Sequence, residues 1–374
     1  MLNRTCFLIA LAGLSAGCTV PIARQSAASL SVPAPQQAQV AEDATPFDPA
    51  GARTAVEKLA QLLEENFIYP AVANSYAKML RERLSSGAYS NFASQEEFAK
   101  QVTADLQAVH PEGHLSLMPA SAFKPGGQVS GGVNAVHGPG KSGWLAPKVG
   151  YLAIHGFTGP RSEVQRLDQL LTWLASAETL IIDARQYAGG GNEGDVTFAH
   201  LFEKPTHLIT YDVRKEVDGR PGANPFPEGP TIRTIDGPPG IVRRAYIPIP
   251  TQKPTNLKKA RLFVLTSSGT ISGGEAFAFA LKNSGRATLI GERTKGAGHF
   301  GRTTQLGGGY RAFIPVGRPF DAKTNKGWEQ TGVEPHINVP ADKALEEAIR
   351  RAGINKNAAM KAFESFTVPE QPKS

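Results

Sequence analysis

Cysteine is almost absent from this 374-residue chain. The two cysteines, Cys6 and Cys18, both lie near the N-terminus. The body of the chain can therefore form no disulfide and no thiolate metal site. A cysteine nucleophile is excluded as well, so any nucleophilic chemistry has to come from another residue type.

Long apolar runs and runs of one charge sign are also missing. The N-terminal stretch Cys6 to Leu14 is too short to span a bilayer as a stable anchor. The net charge of +7 is modest and dispersed, which gives little support to a nucleic-acid partner. A hydrophobic content of 41% with 20% charged residues is typical of a globular protein with one large or two ordinary domains.

The N-terminal segment has the pattern of an export signal. Arg4 precedes the apolar stretch, and small residues follow it before Cys18, as in a secretory signal peptide over residues 1–17. Leu14-Ser-Ala-Gly-Cys18 further resembles a bacterial lipoprotein cleavage box, which implies a lipid on Cys18. The alternative is ordinary signal cleavage with a free N-terminus. We expect an exported lipoprotein on the periplasmic side of a bacterial membrane, with that lipid as its only membrane contact.

The rest of the chain divides by composition and periodicity. Residues 18–50 are rich in Ala, Gln, Ser and Pro and predict a disordered tether. Helical spacing over residues 51–119 predicts a helical N-terminal cap domain. Strands then alternate with helices over residues 120–366, which predicts a mostly parallel α/β core. Residues 217–253 are rich in Pro and Gly and predict an insertion or flap, and residues 367–374 a loose tail.

Ser272 lies where a buried strand, Leu262 to Leu265, turns into an apolar helix, Glu275 to Lys282. A hydroxyl at a helix start lies beside unpaired N–H groups that can bind an oxyanion. The structural alternative is a capping box, in which Ser272 caps the helix and Glu275 binds back to the Ser272 amide. This stretch alone does not decide between a nucleophile and a helix cap.

Two further groups of residues carry candidate chemistry. The glycines at 189–191 follow a buried strand that runs into Asp183 and Arg185. Their spacing fits no nucleotide-binding motif and favours an oxyanion-binding turn, with a plain tight turn as the alternative. His110 and His114 are four residues apart, but Pro111 and Gly113 break the helix that would align them as metal ligands. A histidine in such a place can also be purely structural.

In their order along the chain, five motifs resemble the C-terminal processing, or tail-specific, serine peptidase family. They fall nearest the branch with the tricorn core and interphotoreceptor retinoid-binding protein, and leave no room for an inserted PDZ module. The motifs are Val149–Ile154; Asp183, Arg185, Gly189 and Gly190; Ser272 and Glu275; Gly291–Gly296; and Gly332–Pro335. The resemblance implies a crotonase-like or ClpP-like βαβ catalytic core behind the helical cap, an α/β fold of mixed α+β character.

The resemblance also implies roles for individual residues. Ser272 would be the nucleophile, and Ala297 occupies the slot of the lysine base of the bacterial processing branch. The tricorn-like branch takes its histidine from the end of the cap, which corresponds to His114, with Glu112 in the acidic position before it. That branch also uses a late glutamate, which corresponds to Glu329. Gly190 and Gly273 would form the oxyanion hole, supported by Gly189, Glu275, Asp183 and Arg185. Lys295 is an alternative base.

We therefore expect a serine endopeptidase that needs no cofactor and no metal. Its partner would be a polypeptide substrate, in unstructured or C-terminal segments, and not nucleic acid. The alternative is a binder of hydrophobic ligands or peptides on the same fold, since the retinoid-binding relatives carry apolar ligands. A third possibility, an α/β-hydrolase esterase, lacks the expected glycine two residues before the serine.

Overall fold

The computed structural model describes residues 45–122, 138–156, 161–190 and 193–368. The predicted signal peptide, Cys18, most of the tether and the last six residues lie outside these ranges. The described residues fall within one compact unit, Ala44–Ser374. In the described ranges, none of the helices has the length and apolar character needed to cross a membrane.

The described residues contain helices and strands in the following order. The helices are α1 (Pro49–Asn66), α2 (Pro70–Ser85), α3 (Gln95–Val109), α4 (Arg161–Trp173), α5 (Glu193–Leu201), α6 (Lys215–Asp218), α7 (Gly273–Asn283), α8 (Ala344–Ala352) and α9 (Lys356–Glu364). The strands are β1 (Leu117–Pro119), β2 (Pro139–Ala146), β3 (Val149–Ile154), β4 (Thr179–Asp183), β5 (Ile209–Arg214), β6 (Ile232–Ile235), β7 (Ile241–Tyr246), β8 (Arg261–Thr266), β9 (Thr288–Gly291), β10 (Phe300–Gly307), β11 (Tyr310–Phe320) and β12 (Ile337–Asn338).

The cap consists of α1, α2 and α3, whose limits follow from local signals. Asp48 caps α1 by accepting hydrogen bonds from the amides of Ala50 and Gly51, and Ser94 caps α3 through the Glu97 amide. The apolar faces of these helices pack on one another and on the β10–β11 hairpin, with Leu59, Leu80 and Tyr310 fully buried. Burial of each such side chain contributes roughly 1.5–3 kcal/mol relative to exposure.

The first sheet has the strand order β12-β9-β8-β4-β3-β2. Its pairings are parallel from β12 to β3, and only the edge pair β2–β3 is antiparallel. Buried apolar residues face both sides of this sheet, where one layer contains α4, α5 and α7 and the other α8 and α9. The mostly parallel core predicted from the sequence is therefore confirmed, and its carboxyl-end edge carries the loops that follow β4 and β8.

The second sheet is antiparallel and was not predicted. Its order is β1-β11-β5-β7-β6, and β10 pairs with β11. The predicted insertion, residues 217–253, contributes β6 and β7 to this sheet. β11 is a single strand of 11 residues that pairs with β1, β5 and β10. The insertion is thus built into the fold by backbone pairing.

Candidate active site

Ser272 lies at the start of α7, in a backbone conformation that few non-glycine residues adopt. Its φ is 55° and its ψ −114°, whereas an ordinary N-cap residue lies in the β region. The turn before it is fixed to the loop after β4, because the Ile271 amide donates to the Tyr187 carbonyl at 2.9 Å. The Thr270 hydroxyl also donates to the Ala184 carbonyl at 2.7 Å. Strained backbone held by its surroundings is typical of functional sites.

Gly189 and Gly190 lie directly against Ser272 and Gly273. A Cβ on Gly189 would lie 3.1 Å from Ser272 Cβ and 3.5 Å from its Oγ. A Cβ on Gly273 would lie 3.0 Å from the Gly190 amide nitrogen. The φ angles of Gly189 and Gly190 are 117° and 149°, in the range that favours glycine. These glycines let the two backbone segments approach closely beside the hydroxyl.

Glu275 is a fully buried carboxylate that binds the backbone on both sides of the site. It accepts hydrogen bonds from the amides of Ser272 at 3.0 Å, Gly296 at 2.6 Å and Ala297 at 2.8 Å. The Thr294 hydroxyl donates to it at 2.6 Å. Burial raises the pKa of Glu275 above its usual value, and these hydrogen bonds oppose the rise. The Glu275 bond of the predicted capping box is therefore present, and it also ties α7 to residues 296–297.

Glu329 holds the next two residues of the same segment. Its Oε2 accepts from the amides of Gly298 at 2.6 Å and His299 at 2.8 Å. Its Oε1 accepts from the Gly113 amide at 2.7 Å and from Gln330 Nε2 at 2.9 Å. Four consecutive backbone amides, 296 to 299, are thus divided between two glutamates. One glutamate also binds Ser272, and the other binds the residue before His114.

His114 lies at the end of the cap, next to Gly113, which packs against Ala297. A Cβ on Gly113 would lie 2.6 Å from Ala297 Cα. The His114 ring stacks on Phe313 at 4.8 Å between centroids. Its Nδ1 is buried without a hydrogen-bond partner. Within the described ranges no hydrogen bond joins this ring to the Ser272 hydroxyl, so the structure brings the two loops together without closing that contact.

Burial lowers the pKa of His114 below its ordinary value of 6.5, and the nearby charge of His299 adds to this effect. The carboxylate of Glu329 and a polar contact with the His299 backbone oppose it. The pKa of Glu329 is itself lowered, because the charge of His299 and the donated N–H groups outweigh the effect of burial. The lowered pKa favours the neutral imidazole, which is the form that can accept a proton.

His299 was not identified from the sequence, yet it contacts three of the candidate residues, Glu112, Glu329 and His114. Its Nδ1 lies 2.6 Å from Glu112 Oε2, and both side chains are buried. No local pattern marks His299, because its role depends on chain segments nearly two hundred residues apart. Glu112, His299 and Glu329 offer ligand-type atoms within 4.8 Å of one another. The two Glu329 oxygens already accept hydrogen bonds from four N–H groups. Too few of their lone pairs are left to coordinate an ion in a typical metal site.

Asp183 and Arg185 form an ion pair at the carboxyl end of β4. The Asp183 carboxylate accepts from Arg185 Nε at 2.9 Å and from the Tyr151 hydroxyl at 2.7 Å. Arg185 Nη1 donates to the Ala341 carbonyl at 2.7 Å. These contacts link the sheet to the turn before α8. Lys295, the alternative base, is exposed, and its amide donates to the Thr270 carbonyl at 3.1 Å.

Two family models match the chain, one over the α/β core and one over the helical cap. The model of Peptidase family S41 matches residues 148–339. The model of the N-terminal domain of the S41 peptidase in eukaryotic IRBP matches residues 50–125. The chain belongs to Peptidase family S41. It is accordingly a serine-type peptidase, and the family resemblance stated above is confirmed.

Solved structures share the fold of this S41 peptidase. A peptidase-like protein from Parabacteroides merdae is 17% identical with a TM-score of 0.54, over 80% of this chain and 96% of that one. A lipoprotein from Streptococcus agalactiae is 15% identical with a TM-score of 0.52, over 82% and 98%. The photosystem II D1 C-terminal processing protease is 14% identical with a TM-score of 0.49, over 82% and 98%. The first two likenesses, at these low identities, show the fold alone.

Proposed function

We propose that this S41 peptidase is an exported endopeptidase that uses Ser272 as nucleophile, His114 as general base and Glu329 as the carboxylate that stabilises the charged imidazole. The observation that carries the proposal is the segment 296–299. Its amides bind Glu275, which also holds the Ser272 amide, and Glu329, which also holds the Gly113 amide. The nucleophile loop and the histidine loop are thereby held to one short piece of backbone.

In the proposed reaction, Ser272 Oγ attacks the carbonyl carbon of a peptide bond while His114 takes the hydroxyl proton. The carbonyl oxygen becomes an oxyanion, which the amides of Gly190 and Gly273 bind. Collapse of this intermediate breaks the C–N bond, and the proton on His114 passes to the leaving amine. Water then attacks the acyl carbon and gives a proton to His114. Collapse of this second intermediate breaks the bond to Ser272 Oγ, which takes the proton back from His114, and the carboxylic acid is released.

Two features of the site favour this chemistry. Each donor in an oxyanion hole typically contributes about 3 kcal/mol to stabilisation of the transition state, and the Ser272 hydroxyl and the Gly273 amide both lie beside Gly189. A base has to reach about 3 Å from the hydroxyl. We infer that substrate binding completes the contact between His114 and Ser272, because catalytic hydrogen bonds are often open in free enzymes.

The proposal is tested by labelling with a fluorophosphonate probe, which reacts with activated serines. We expect the full chain to be labelled at Ser272, and Ser272→Ala to lose both labelling and peptide hydrolysis while keeping its fold. Ser284→Ala is the matched control, because Ser284 lies at the other end of α7 and caps it. Absence of labelling in a folded preparation would remove the nucleophile assignment.

The base is tested separately with His114→Ala and Lys295→Ala. The first change should abolish labelling of Ser272, and the second should leave it unchanged. The opposite pattern would assign the proton transfer to Lys295. A retinol-binding titration on the same preparations distinguishes hydrolysis from the alternative function of carrying an apolar ligand.

We further propose that the mature protein is held at the membrane by a lipid on Cys18, and that it acts on unstructured or C-terminal segments of other chains. A Cys18→Ser variant expressed in a bacterial host should move from the membrane fraction to the soluble exported fraction. Retention at the membrane without Cys18 would contradict the anchor. Comparison of cleaved protein termini in cells with wild-type enzyme and with Ser272→Ala would identify the substrates.

A further inference from the structure

A cavity of about 450 Å³ opens beside the two proposed oxyanion donors, Gly190 and Gly273. It is lined largely by aromatic rings. They are Tyr187, Phe198, Tyr211, Phe226, Tyr246 and Phe277. A substrate carbonyl held at these donors would place its neighbouring side chain at this cavity.

The predicted insertion supplies one wall of the cavity. Residues 225–232 line it together with Tyr246, and Phe226 stacks on Tyr211 with 4.4 Å between ring centroids and 3° between planes. The Phe226 amide donates to Asn224 Oδ1 at 2.9 Å, and Asn224 Nδ2 donates to Asp218 at 2.7 Å. The insertion is therefore an ordered wall of the cavity, held by its own hydrogen bonds.

Asp195, in the first turn of α5, is an acidic group in this aromatic wall. Its Oδ1 accepts from the Tyr246 hydroxyl at 2.6 Å, and its Oδ2 has a long contact of 3.4 Å with Thr231 Oγ1. Glu228 also lines the cavity, while the described lining contains no Lys, Arg or His. Burial raises the pKa of Asp195, and the two hydroxyls oppose this. The Asp195 carboxyl group thus has two hydroxyl contacts, and the described lining of the cavity places no cation opposite it.

The chemistry of this wall decides which side chain would fill the cavity. An apolar side chain would remove water from the Asp195 carboxylate and supply no opposite charge, which is costly. A cationic side chain supplies that charge, and its stem and head group bind well to aromatic faces. We propose that this cavity binds the Lys or Arg side chain of the residue on the amino side of the bond that is cut. The inference rests on the proposed function.

The test uses peptides that are identical except for that residue, which is Arg, Lys, Gln, Met or Phe. For the full wild-type chain we expect kcat/KM to be highest with Arg and Lys. Asp195→Asn should lower kcat/KM for these two by about tenfold or more, as expected for loss of one partner of a buried charge pair. It should leave the Gln and Met peptides within about twofold. Asp195→Glu, which keeps the charge, should retain the preference for basic residues.

Glu203→Gln is the matched control, because Glu203 follows the same helix but pairs with Lys259 at the surface. It should change none of the ratios. Labelling of Ser272 by the fluorophosphonate, which carries no such side chain, should be equal in wild type and Asp195→Asn. A labelled enzyme that prefers Met or Phe, or an Arg-to-Met ratio unchanged by Asp195→Asn, would overturn the cavity assignment alone. An unlabelled Ser272 would overturn the proposed nucleophile together with it.

Discussion

His299 Nδ1 lies 2.6 Å from Glu112 Oε2, and the amide of the same histidine donates to Glu329 Oε2 at 2.8 Å. One residue thus joins the end of the cap to the glutamate proposed to act on His114. Burial raises the pKa of Glu112, while its bond to His299 opposes that effect. The pair is placed to fix the loop that carries His114.

We expect Glu112→Gln to lower kcat about tenfold and to leave KM and the melting temperature nearly unchanged, because it weakens a charge-assisted bond without removing volume. Steady-state kinetics with thermal unfolding checks this. Asp168→Asn is the control. Asp168 Oδ1 on α4 lies 2.8 Å from Nε2 of another buried histidine, His200 on α5, and the change disturbs this similar contact. Equal losses of kcat in the two variants would show that the Glu112–His299 pair has no positioning role.

The pH dependence of kcat/KM shows which residue acts as the general base. Because burial holds the pKa of His114 below 6.5, the acid limb of the profile should have its midpoint below pH 6.5, with activity lost as His114 becomes protonated. The Glu329 charge raises the pKa of His114, so Glu329→Gln should move the midpoint to still lower pH as well as lower the maximal rate. A limb that rises in the alkaline range, near the ordinary lysine pKa of about 10.4, would point instead to Lys295.

Gly189→Ala should remove most activity, because the added Cβ would crowd Ser272 Cβ at 3.1 Å on a backbone with φ of 117°. We expect kcat/KM to fall by about a hundredfold, the typical cost of one misplaced oxyanion-hole donor. The rate of fluorophosphonate labelling measures the effect directly. Gly222→Ala is the control: its φ is 73°, but no atom lies within 4 Å of the added Cβ. Loss of activity in both variants would indicate a general effect of backbone strain.

Glu275→Ala should destabilise the fold, because it leaves buried amides of residues 296 and 297 without an acceptor. Each unsatisfied buried group costs about 1–3 kcal/mol, so we expect a loss of about 3 kcal/mol or more in the free energy of unfolding, measured in urea. Glu57→Ala removes an exposed carboxylate that is 60% accessible in an ion pair on α1. That control should change stability by about 0.5 kcal/mol or less.

Much of the fold follows from local sequence signals. α3 begins directly after its cap, Ser94, and β3 coincides with the buried motif Val149–Ile154. β6 and β10 were missed, since their side chains are mostly exposed or half-buried and carry no apolar alternation. Both strands exist because of backbone pairing with β7 and β11, a tertiary effect that local propensity does not contain.

In the candidate site, too, some features could be predicted from the sequence and others could not. The positions of Ser272 and the glycines at 189–190 were predictable, because a strand end followed by glycine or by a helix start has a fixed geometry. The sharing of four amides by Glu275 and Glu329 was not, since backbone amides are present in every residue and leave no trace in the sequence. His299 was missed for a related reason: its partner, Glu112, is distant in the chain.

The anchoring of residues 296–299 has a consequence for how such enzymes can diverge. Both glutamates hold this segment through its main chain, so this support does not depend on which side chain stands at position 297. In the bacterial processing branch, a lysine base corresponds to position 297, where this chain has alanine. The same backbone support could therefore serve an enzyme with that lysine and an enzyme with the base that we propose here, His114 of the cap. The architecture thus separates the support of the reaction centre from the identity of the group that moves the proton.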